Sequence, residues 1–447
     1  MDRKNGTGQA NEILRIILTA DNHLSAYIPK LSPTRLTERR KRLGLAFRQA
    51  VDVAIDRHAD LFIQAGDLFD SIDPRNKERD FVAEQLQRLQ AAGVRPFGVS
   101  GNHDTPRQRT EQGGLAPQSI YARLSGMHFF PSSDVIEPVL VEVGGIQVAL
   151  AGLSYHPHVP PGGDPLDSVQ VVDPEGILAR ADLGILILHS AIEGHAFPGQ
   201  MEIFARRNSL LKLDGFHLIL TGHVHAYDRF SVGNKDVVVC GATELMEFSQ
   251  HDDDDKVGFV YLELTRNGLQ HAEHLSIQPQ PRHIISLRTT ELWPRDEANG
   301  KHLEKSVAER EEILSAPPPE KGEPSVTETL WQKVEPYCTE DAMVRLILEG
   351  PLTREQYHEL ELHSLWLQGQ QRAFSFEIDE SHLFLSQDLV QGTIERGDRI
   401  APREMLEAVV MDWMEQAEAP AERLLLSKMR QRVLDRYDEI SGREASR

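Results

Sequence analysis

Nine residues of types that bind metals or transfer protons each follow an apolar segment of the chain: Asp21, His23, Asp67, Asn102, His103, Asp104, His189, His223 and His225. Together they offer oxygen and nitrogen ligands but no thiolate, which suits Mn²⁺, Fe²⁺ or Zn²⁺ better than Ca²⁺ or Mg²⁺. Two such cations roughly 3.5–4 Å apart can activate a hydroxide for in-line attack on phosphorus. They need a shared anion to offset their repulsion, and Asp67 is the residue that we expect to bridge them. The pattern predicts a two-metal centre for phosphate-ester hydrolysis.

The elements that must position these residues are strands, because each group is preceded by a short apolar run. Strands are predicted over Ile13–Thr19, Leu61–Ile63, Pro96–Ser100, Leu183–Leu188 and Leu218–Thr221. Apolar residues at three- and four-residue spacing predict helices over Thr37–His58 and Asn76–Ala92. The resulting β-α-β-α-β order implies a parallel sheet with helices outside. Loops at the carboxyl ends of such strands hold the functional residues of α/β sheets.

The second half of the chain is predicted to contain further strands and two smaller parts. A hairpin is expected from Val139–Val143 and Ile146–Leu150, and further strands at Val237–Cys240, Gly258–Leu264 and His271–Ile277. Met343–Glu349 and Phe374–Ile378 predict strands of a small α/β module, and 402–440 reads as helical. We expect three parts, at 12–280, 281–390 and 400–447. The apolar stripes of the tail either pack on their own domain or dock a partner.

Composition narrows the class of protein. At 447 residues the chain exceeds the usual size of a single core. Its net charge of −21 is unusual for a nucleic-acid binder, so any DNA contact requires a local basic patch, metal ions or a partner subunit. A polar start predicts no signal peptide, and no apolar run reaches the length of a membrane span. Two cysteines, Cys240 and Cys338, exclude a disulfide framework and fit a reducing cytosol. Because no apolar run could span a membrane, we expect a cytoplasmic protein that has no membrane partner.

The predicted first helix carries a basic segment with two open interpretations. Its charges either form a solvated face with partners such as Glu38 for Arg42, or contact phosphates beside the metal site. The candidate DNA contacts are Arg35, Arg39, Arg40 and Arg42.

The motifs resemble those of a known family. Asp21-x-His23, GDLFD at 66–70, GNHD at 101–104, His189 and GHVH at 222–225 are similar to the five motifs of the calcineurin-like metallophosphoesterases. The GDLFD form, the following Ser71-Ile72-Asp73-Pro74 and the stretch GATELMEF…KVGFVYLEL resemble the SbcD-type DNA repair exonucleases, the bacterial counterparts of the eukaryotic Mre nuclease. The resemblance covers about residues 12–275, and MVRLILEGPL is faintly similar to the family's capping domain.

The resemblance implies an α/β fold: a two-sheet sandwich flanked by helices, followed by a small α/β capping domain and C-terminal helices. It implies a first metal held by Asp21, His23, Asp67 and His225, and a second held by Asp67, Asn102, His189 and His223. His103 would stabilise the transition state or protonate the leaving oxygen, oriented by Asp104. Archaeal members carry histidine where this chain has Asp70, so the role of Asp70 is left open.

The implied function is that of a Mn²⁺-dependent DNA nuclease with 3′→5′ exonuclease and single-strand endonuclease activity. It would act with an SMC-like ABC ATPase of the SbcC type, with the tail as the docking element. A homodimer is a further expected assembly, although the oligomeric state does not follow from the sequence. The alternative is a phosphoesterase of a small diester such as a cyclic nucleotide, because the same metals would serve. A scaffold with a degenerate site is disfavoured because every ligand position is filled.

Overall fold

The computed structural model describes residues 13–108, 110–124, 126–195, 203–246, 248, 257–293 and 325–385. The described residues up to Phe384 belong to one compact unit. The predicted tail helices over 402–440 lie outside the described residues. The division of the chain into parts at 280 and 390 stays a prediction.

The first sheet has a parallel centre. Its strands are β1 Leu14–Thr19, β2 Leu61–Ala65, β3 Arg95–Val99, β4 His128–Phe130, β15 Gly258–Thr265 and β16 Gly268–Ser276. They lie in the order β16-β15-β1-β2-β3-β4, with β1 to β4 parallel and β15 and β16 antiparallel at one side. The predicted strands are confirmed here, with ends shifted by one to three residues.

The second sheet repeats this plan. Its strands are β6 Val139–Val143, β7 Ile146–Leu153, β9 Leu183–His189, β12 Leu218–Gly222, β13 Asp228–Val232 and β14 Lys235–Val239, in the order β13-β14-β12-β9-β7-β6. The central strands β7, β9, β12 and β14 are parallel, and the predicted hairpin of β6 and β7 is confirmed. Two short pairs stand apart: β5 Val135–Ile136 with β8 Gln170–Val171, and β10 Ala191–Ile192 with β11 Phe204–Ala205.

The two sheets face each other across an apolar core. Side chains such as Ile16 and Ile63 from the first sheet meet Ile185, Leu220 and Val238 from the second, all at 0% exposure. Central strands buried on both faces read as continuous apolar runs, which is why they were visible in the sequence. The predicted two-sheet sandwich is confirmed, and its parallel strands in both sheets end on the side that carries the motif residues.

Helices cover the outer face of the first sheet. They are α1 Pro33–Asp56 and α2 Asn76–Ala91. Phe47 of α1 and Val82 of α2 pack on Phe62 and its neighbours in the sheet. Helix α1 begins earlier than the predicted Thr37, because the hydroxyl of Ser32 accepts the backbone N–H of Arg35 and Pro33 occupies the first turn.

Shorter elements complete this part of the chain. The helices are α3 Tyr121–Leu124, α4 Ile177–Arg180 and α5 Arg207–Leu211, with 3₁₀ turns at Glu111–Gly114 and Pro117–Ile120. Leu210 of α5 and Phe216 pack against Leu186 and Ile219 on the outer face of the second sheet.

A third, three-stranded sheet follows the sandwich. Its strands are β17 Arg282–Arg288, β18 Met343–Leu352 and β19 Ser375–Leu385, in that order. Its helices are α6 Thr289–Leu292, α7 Val326–Val334, α8 Arg354–Glu359 and α9 Leu362–Arg372, with a 3₁₀ turn at Glu335–Tyr337. These elements share an apolar core of their own that includes Leu330, Leu346 and Phe376. We call this part the cap module. The predicted strands at 343 and 374 are confirmed, and both extend further than predicted.

Across the described ranges, the helices are all too short or too polar to cross a bilayer.

Candidate metal centre

The candidate ligands lie where strands of both sheets end. Asp21 and His23 follow β1, Asp67 follows β2, Asn102 follows β3, His189 ends β9, and His223 and His225 follow β12. The backbone there leaves the strand conformation sharply: φ is 48° at Asp21, 45° at His23, 51° at Asp67 and 85° at His223. These values lie in the left-handed region, which is unfavourable for residues with a Cβ. Backbone strain of this kind clusters at functional sites.

Two glycines of the motifs are required by close packing at the same place. A Cβ on Gly66 would lie 2.1 Å from Nδ1 of His189, and a Cβ on Gly101 would lie 2.1 Å from Oδ1 of Asp67. Both distances are far below van der Waals contact. The glycines of GDLFD and GNHD therefore provide the space that candidate ligands from neighbouring strands occupy.

One group of ligand atoms comes from the first and last motifs. Asp21, His23 and His225 each offer a ligand atom, and these atoms lie within 4.8 Å of one another. Nε2 of His23 lies 3.2 Å from Nε2 of His225. Asp21 and His23 are almost completely buried, and His225 is half-buried. These are three of the four residues expected to hold the first metal.

A second group surrounds His189. Its Nε2 lies 3.3 Å from Oδ2 of Asp67 and 3.2 Å from Oδ1 of Asn102. The same Oδ1 of Asn102 lies 2.9 Å from Nδ1 of His223. The four residues expected to hold the second metal are thus linked by short contacts between their polar atoms.

Asp67 lies close to residues of both groups. A carboxylate oxygen of Asp67 lies within 4.8 Å of the ligand atoms of Asp21 and His189, and one lies within 4.8 Å of those of His23 and His103. A carboxylate in this position can contact two cations at once. Carboxylate, amide and imidazole atoms are a set that Mn²⁺, Fe²⁺ or Zn²⁺ accepts. The residues present therefore fit a pair of divalent cations, and the structure brings all seven predicted ligands together.

Groups around the ligands fix their orientation. Nδ1 of His189 lies 2.8 Å from the backbone oxygen of Ala65, which places a proton on Nδ1 and leaves Nε2 for a cation. The backbone N–H of His223 donates to both oxygens of Asp21, at 3.1 and 3.0 Å. Nδ1 of His23 lies 3.1 Å from Oδ1 of Asp70. This contact likewise places a proton on Nδ1 of His23 and leaves its Nε2 for a cation.

Asp70 is therefore a residue whose role the sequence did not reveal. Besides His23, its carboxylate lies 3.6 Å from Nδ1 of His103, whose backbone N–H donates to Oδ1 of Asp67 at 2.9 Å. The His103 side chain is 44% exposed, so the ring can reach a bound substrate. The GDLFD motif offered the signal, because Asp70 is a second carboxylate three residues after Asp67.

The predicted role of Asp104 as the residue that orients His103 is wrong. Its carboxylate is fully buried and accepts the backbone N–H of Gly101 at 2.7 Å and of Phe69 at 3.0 Å, and the side-chain amide of Gln118. Asp104 holds the GNHD and GDLFD loops together through their backbones. The carboxylate beside the His103 ring is that of Asp70.

Burial and neighbouring charges shift the pKa values of the site. Burial raises the pKa of Asp21 to about 7 and that of Asp104 to about 7, helped in both by the charge of Asp67. Burial lowers the pKa of His223 to about 4, with a further decrease from His189, and it lowers the pKa of His225 to about 3, with a further decrease from His23. Both imidazoles are thus neutral at pH 7, the form that binds a cation.

The pair formed by His189 and Asp67 behaves in the opposite way. Burial lowers the pKa of His189, but the charge and hydrogen bond of Asp67 outweigh burial and raise it to about 9. Burial raises the pKa of Asp67, but His189 outweighs burial and holds this pKa below its usual range. The protein groups alone thus favour a carboxylate at Asp67.

The arginines proposed as DNA contacts are engaged within the chain. The predicted role of Arg39 is wrong, because its side chain is fully buried and pairs with Glu244 at 3.1 Å. Arg42 pairs with Asp341, the Arg35 guanidinium lies 5.1 Å from the centre of the Phe374 ring, and Nε of Arg40 donates to the backbone oxygen of Ala26. Three of these arginines, Arg35, Arg39 and Arg42, join α1 to the cap module or to the segment that leads into it.

Residues 14–227 match the model of the calcineurin-like phosphoesterase family. The DNA double-strand break repair protein Mre11 of Saccharolobus solfataricus is 26% identical over 285 residues, which are 63% of this chain and 68% of that protein. Proteins of the same name from Sulfurisphaera tokodaii and Sulfolobus acidocaldarius are 24% and 25% identical over 59% and 54% of this chain. The chain spans 65% and 58% of their respective lengths.

Proposed function

We propose that this chain, whose residues 14–227 match the calcineurin-like phosphoesterase family, is a Mn²⁺-dependent DNA nuclease. Its proposed activities are those of a 3′→5′ exonuclease and a single-strand endonuclease of the SbcD type. The observation that carries the proposal is the convergence of seven ligand residues, Asp67 among them, at the strand ends of both sheets. The names of the relatives, which are DNA double-strand break repair proteins, supply the substrate class.

In the proposed reaction Asp21, His23, Asp67 and His225 would hold one cation, and Asp67, Asn102, His189 and His223 would hold the other. The bound cations would supply a hydroxide nucleophile and neutralise charge on the phosphoryl oxygens. The residues of the chain have three further tasks. The neutral rings of His223 and His225 offer nitrogen atoms to a cation, Asp67 stays ionised between the two groups, and His103 donates a proton to the leaving oxygen.

His103 suits that role by position. Its ring is accessible, while its backbone N–H is held by Asp67 and its Nδ1 faces the carboxylate of Asp70. The carboxylate beside Nδ1 fixes the orientation of the ring and directs the other nitrogen towards the substrate. His103 thus serves as a general acid, with Asp70 as its positioning residue.

DNA binding requires positive charge that this chain provides sparingly. Its net charge is −21, Arg39 is buried in an ion pair, and Arg35 and Arg42 make contacts with other residues of the chain. Phosphate contacts supply most of the affinity of DNA-binding proteins. We therefore propose that an ABC ATPase of the SbcC type supplies much of the DNA-binding surface. Docking through the tail, a homodimer and a cytoplasmic location belong to the same proposal.

The test uses the full chain on end-labelled linear duplex and single-stranded DNA, with Mn²⁺ and with EDTA. We expect Mn²⁺-dependent cleavage that His103→Ala reduces by two orders of magnitude or more, as is usual for loss of a general acid. His271→Ala is the matched control, because His271 is exposed on β16 and belongs to none of the candidate ligand groups. Its activity should equal that of the wild type.

The small-diester alternative makes a different prediction in the same assay. The chain could hydrolyse bis-p-nitrophenyl phosphate in a reaction that needs Mn²⁺ and His103, and yet leave the DNA intact. That result would contradict DNA cleavage by the chain alone. Adding the ATPase subunit would then separate a missing partner from a small substrate. DNA that stays intact with the partner present would refute the nuclease proposal.

A further inference from the structure

The stretch GATELMEF lies between the candidate metal centre and the cap module. Its residues 241–246 follow β14, and we call them the connecting loop. Neither the ligand set nor the proposed reaction uses them. One end of the loop nevertheless contacts the candidate metal centre, and the other end contacts the segment that precedes the cap module.

The first end is attached to the metal centre. The backbone N–H of Ala242 donates to the oxygen of His225 at 2.9 Å, and Ala242 forms a parallel bridge with Ala20. The buried hydroxyl of Thr243 accepts the side-chain amide of Asn22 at 3.3 Å. Asn22 lies between the candidate ligands Asp21 and His23. The loop therefore contacts the backbone of both motifs that form the first group of ligands.

The second end is attached to the segment that enters the cap module. The carboxylate of Glu244 accepts the backbone N–H of Gln280 at 3.2 and 3.3 Å and pairs with Arg39 at 3.1 Å. Arg39 also donates to the side-chain oxygen of Gln280 at 2.9 Å, and the Gln280 amide donates to the backbone oxygen of Asp341 at 3.0 Å. Gln280 and Asp341 precede β17 and β18, the first two strands of the cap module.

This network is buried. Arg39 and Gln280 are 0% exposed and Glu244 is 3% exposed. A buried ion pair contributes little net stability compared with an apolar replacement, but losing one partner leaves the other charge uncompensated. Such a pair permits few alternative arrangements, so it holds α1, the connecting loop and the entrance to the cap module in one relative position.

We propose that Glu244 and Arg39 are positioning residues. Through them, the cation affinity of the metal centre depends on the position of the cap module relative to α1 and the connecting loop. A shift of the entrance segment moves Glu244, and the loop transmits that shift to Asn22 and to the backbone oxygen of His225. The inference rests on the proposed metal centre but not on DNA as the substrate. Because linkage is reciprocal, cation binding in turn stabilises this position of the cap module.

The test is calorimetric titration of the purified full chain with Mn²⁺, which measures cation binding without any catalytic readout. We expect Glu244→Gln to weaken Mn²⁺ binding about tenfold, the lower end of the range for residues that orient metal ligands. Arg39→Met should have the same effect. Because the two residues act as one unit, the double variant should bind Mn²⁺ no more weakly than either single variant does.

Two controls separate positioning from general loss of stability. Glu273→Gln removes an ion pair with Arg57 on the other end of α1, where both side chains are more than a third exposed, and should leave Mn²⁺ affinity unchanged. Leu330→Ala truncates the core of the cap module and should lower the melting temperature without changing Mn²⁺ affinity. If Leu330→Ala weakened Mn²⁺ binding as much as Glu244→Gln does, the proposal would be overturned.

The double variant also covers the case in which the single variants do not fold, because it leaves no uncompensated charge. Wild-type Mn²⁺ affinity in a folded Glu244→Gln or double variant would overturn the proposal. A wild-type chain that binds Mn²⁺ but cuts no DNA even with the ATPase subunit present would refute the proposed nuclease and leave this inference standing. A wild-type chain that binds no Mn²⁺ would refute both.

Discussion

Gly101→Ala tests the proposed bridge with a single added carbon atom. Gly101 precedes Asn102 in the GNHD loop, and its hydrogen atoms face Asp67. A Cβ at this position would lie 2.1 Å from Oδ1, 2.6 Å from Cγ and 2.6 Å from the backbone nitrogen of Asp67. The added carbon meets both the side chain and the backbone of Asp67, so a change of rotamer alone does not relieve the contact.

The size of the effect follows from that geometry. Real Cβ atoms essentially never come within 3.0 Å of another heavy atom in such contacts, so Asp67 and Gly101 must separate by roughly 1 Å. A displacement of about 1 Å at a reacting centre can cost on the order of 10²-fold in rate. That factor corresponds to about 2.7 kcal/mol of transition-state stabilisation. We expect a comparable fall in the Mn²⁺-dependent hydrolysis rate and weaker Mn²⁺ binding.

The assay measures Mn²⁺-dependent hydrolysis of bis-p-nitrophenyl phosphate, Mn²⁺ binding by calorimetry, and thermal unfolding on the same preparations. Gly44→Ala is the matched control, because its added Cβ would meet only the Phe81 ring at 3.7 Å, an ordinary contact. Gly44 lies inside α1, where alanine is favoured over glycine by about 0.5–1 kcal/mol. The control should be slightly more stable and fully active.

A folded Gly101→Ala protein with wild-type rate and wild-type Mn²⁺ affinity would refute the placement of Asp67 at the centre of the site. Loss of folding in Gly101→Ala, with Gly44→Ala intact, would instead identify Gly101 as a residue needed for the core. The role of Asp67 would then be tested by Asp67→Asn, which keeps the shape and removes the charge.

Four further predictions follow from individual contacts. Asp70→Asn should lower the hydrolysis rate about 10- to 100-fold, the range for residues that orient metal ligands, and an unchanged rate and pH profile would contradict its role. Cys240 and Cys338 are buried, and burial raises the pKa of Cys338 to about 11, so neither thiol should react quickly with Ellman's reagent at pH 8 until denaturant is added. The stability that the Cys338 thiol contributes should be fully present below pH 9 and lost as the pH rises through 11, measurable in denaturant titrations at several pH values. Ser325→Ala removes the capping box that Ser325 forms with Glu328 at the start of α7 and should cost about 1 kcal/mol in thermal unfolding.

The sequence predicted the centre of the fold well because the relevant signals are local. Apolar strands end directly at Asp21, Asp67 and Asn102, and a buried parallel strand is hard to mistake when a metal-binding residue follows it. The boundaries of β1, β2 and β3 were correct to within two residues for the same reason.

What the sequence did not predict depends on long-range packing. The burial of Arg39 could not be inferred, because its partners Glu244 and Gln280 lie more than 200 residues away along the chain. The exchange of roles between Asp70 and Asp104 has a similar cause. Both are acidic residues at the end of a motif, and only the folded loops show which carboxylate faces His103 and which binds backbone N–H groups.

The left-handed backbone at Asp21, His23, Asp67 and His223 has a consequence for folding. Each non-glycine residue in this conformation costs roughly 1–2 kcal/mol, and these four are among eight such residues in the described ranges. A cation that binds only the folded chain adds about 2.7 kcal/mol at a hundredfold excess over its dissociation constant, which offsets part of that cost. Folding and cation supply are therefore linked: the melting temperature should rise with Mn²⁺, and variants selected for stability without metal should tend to lose these four residues first.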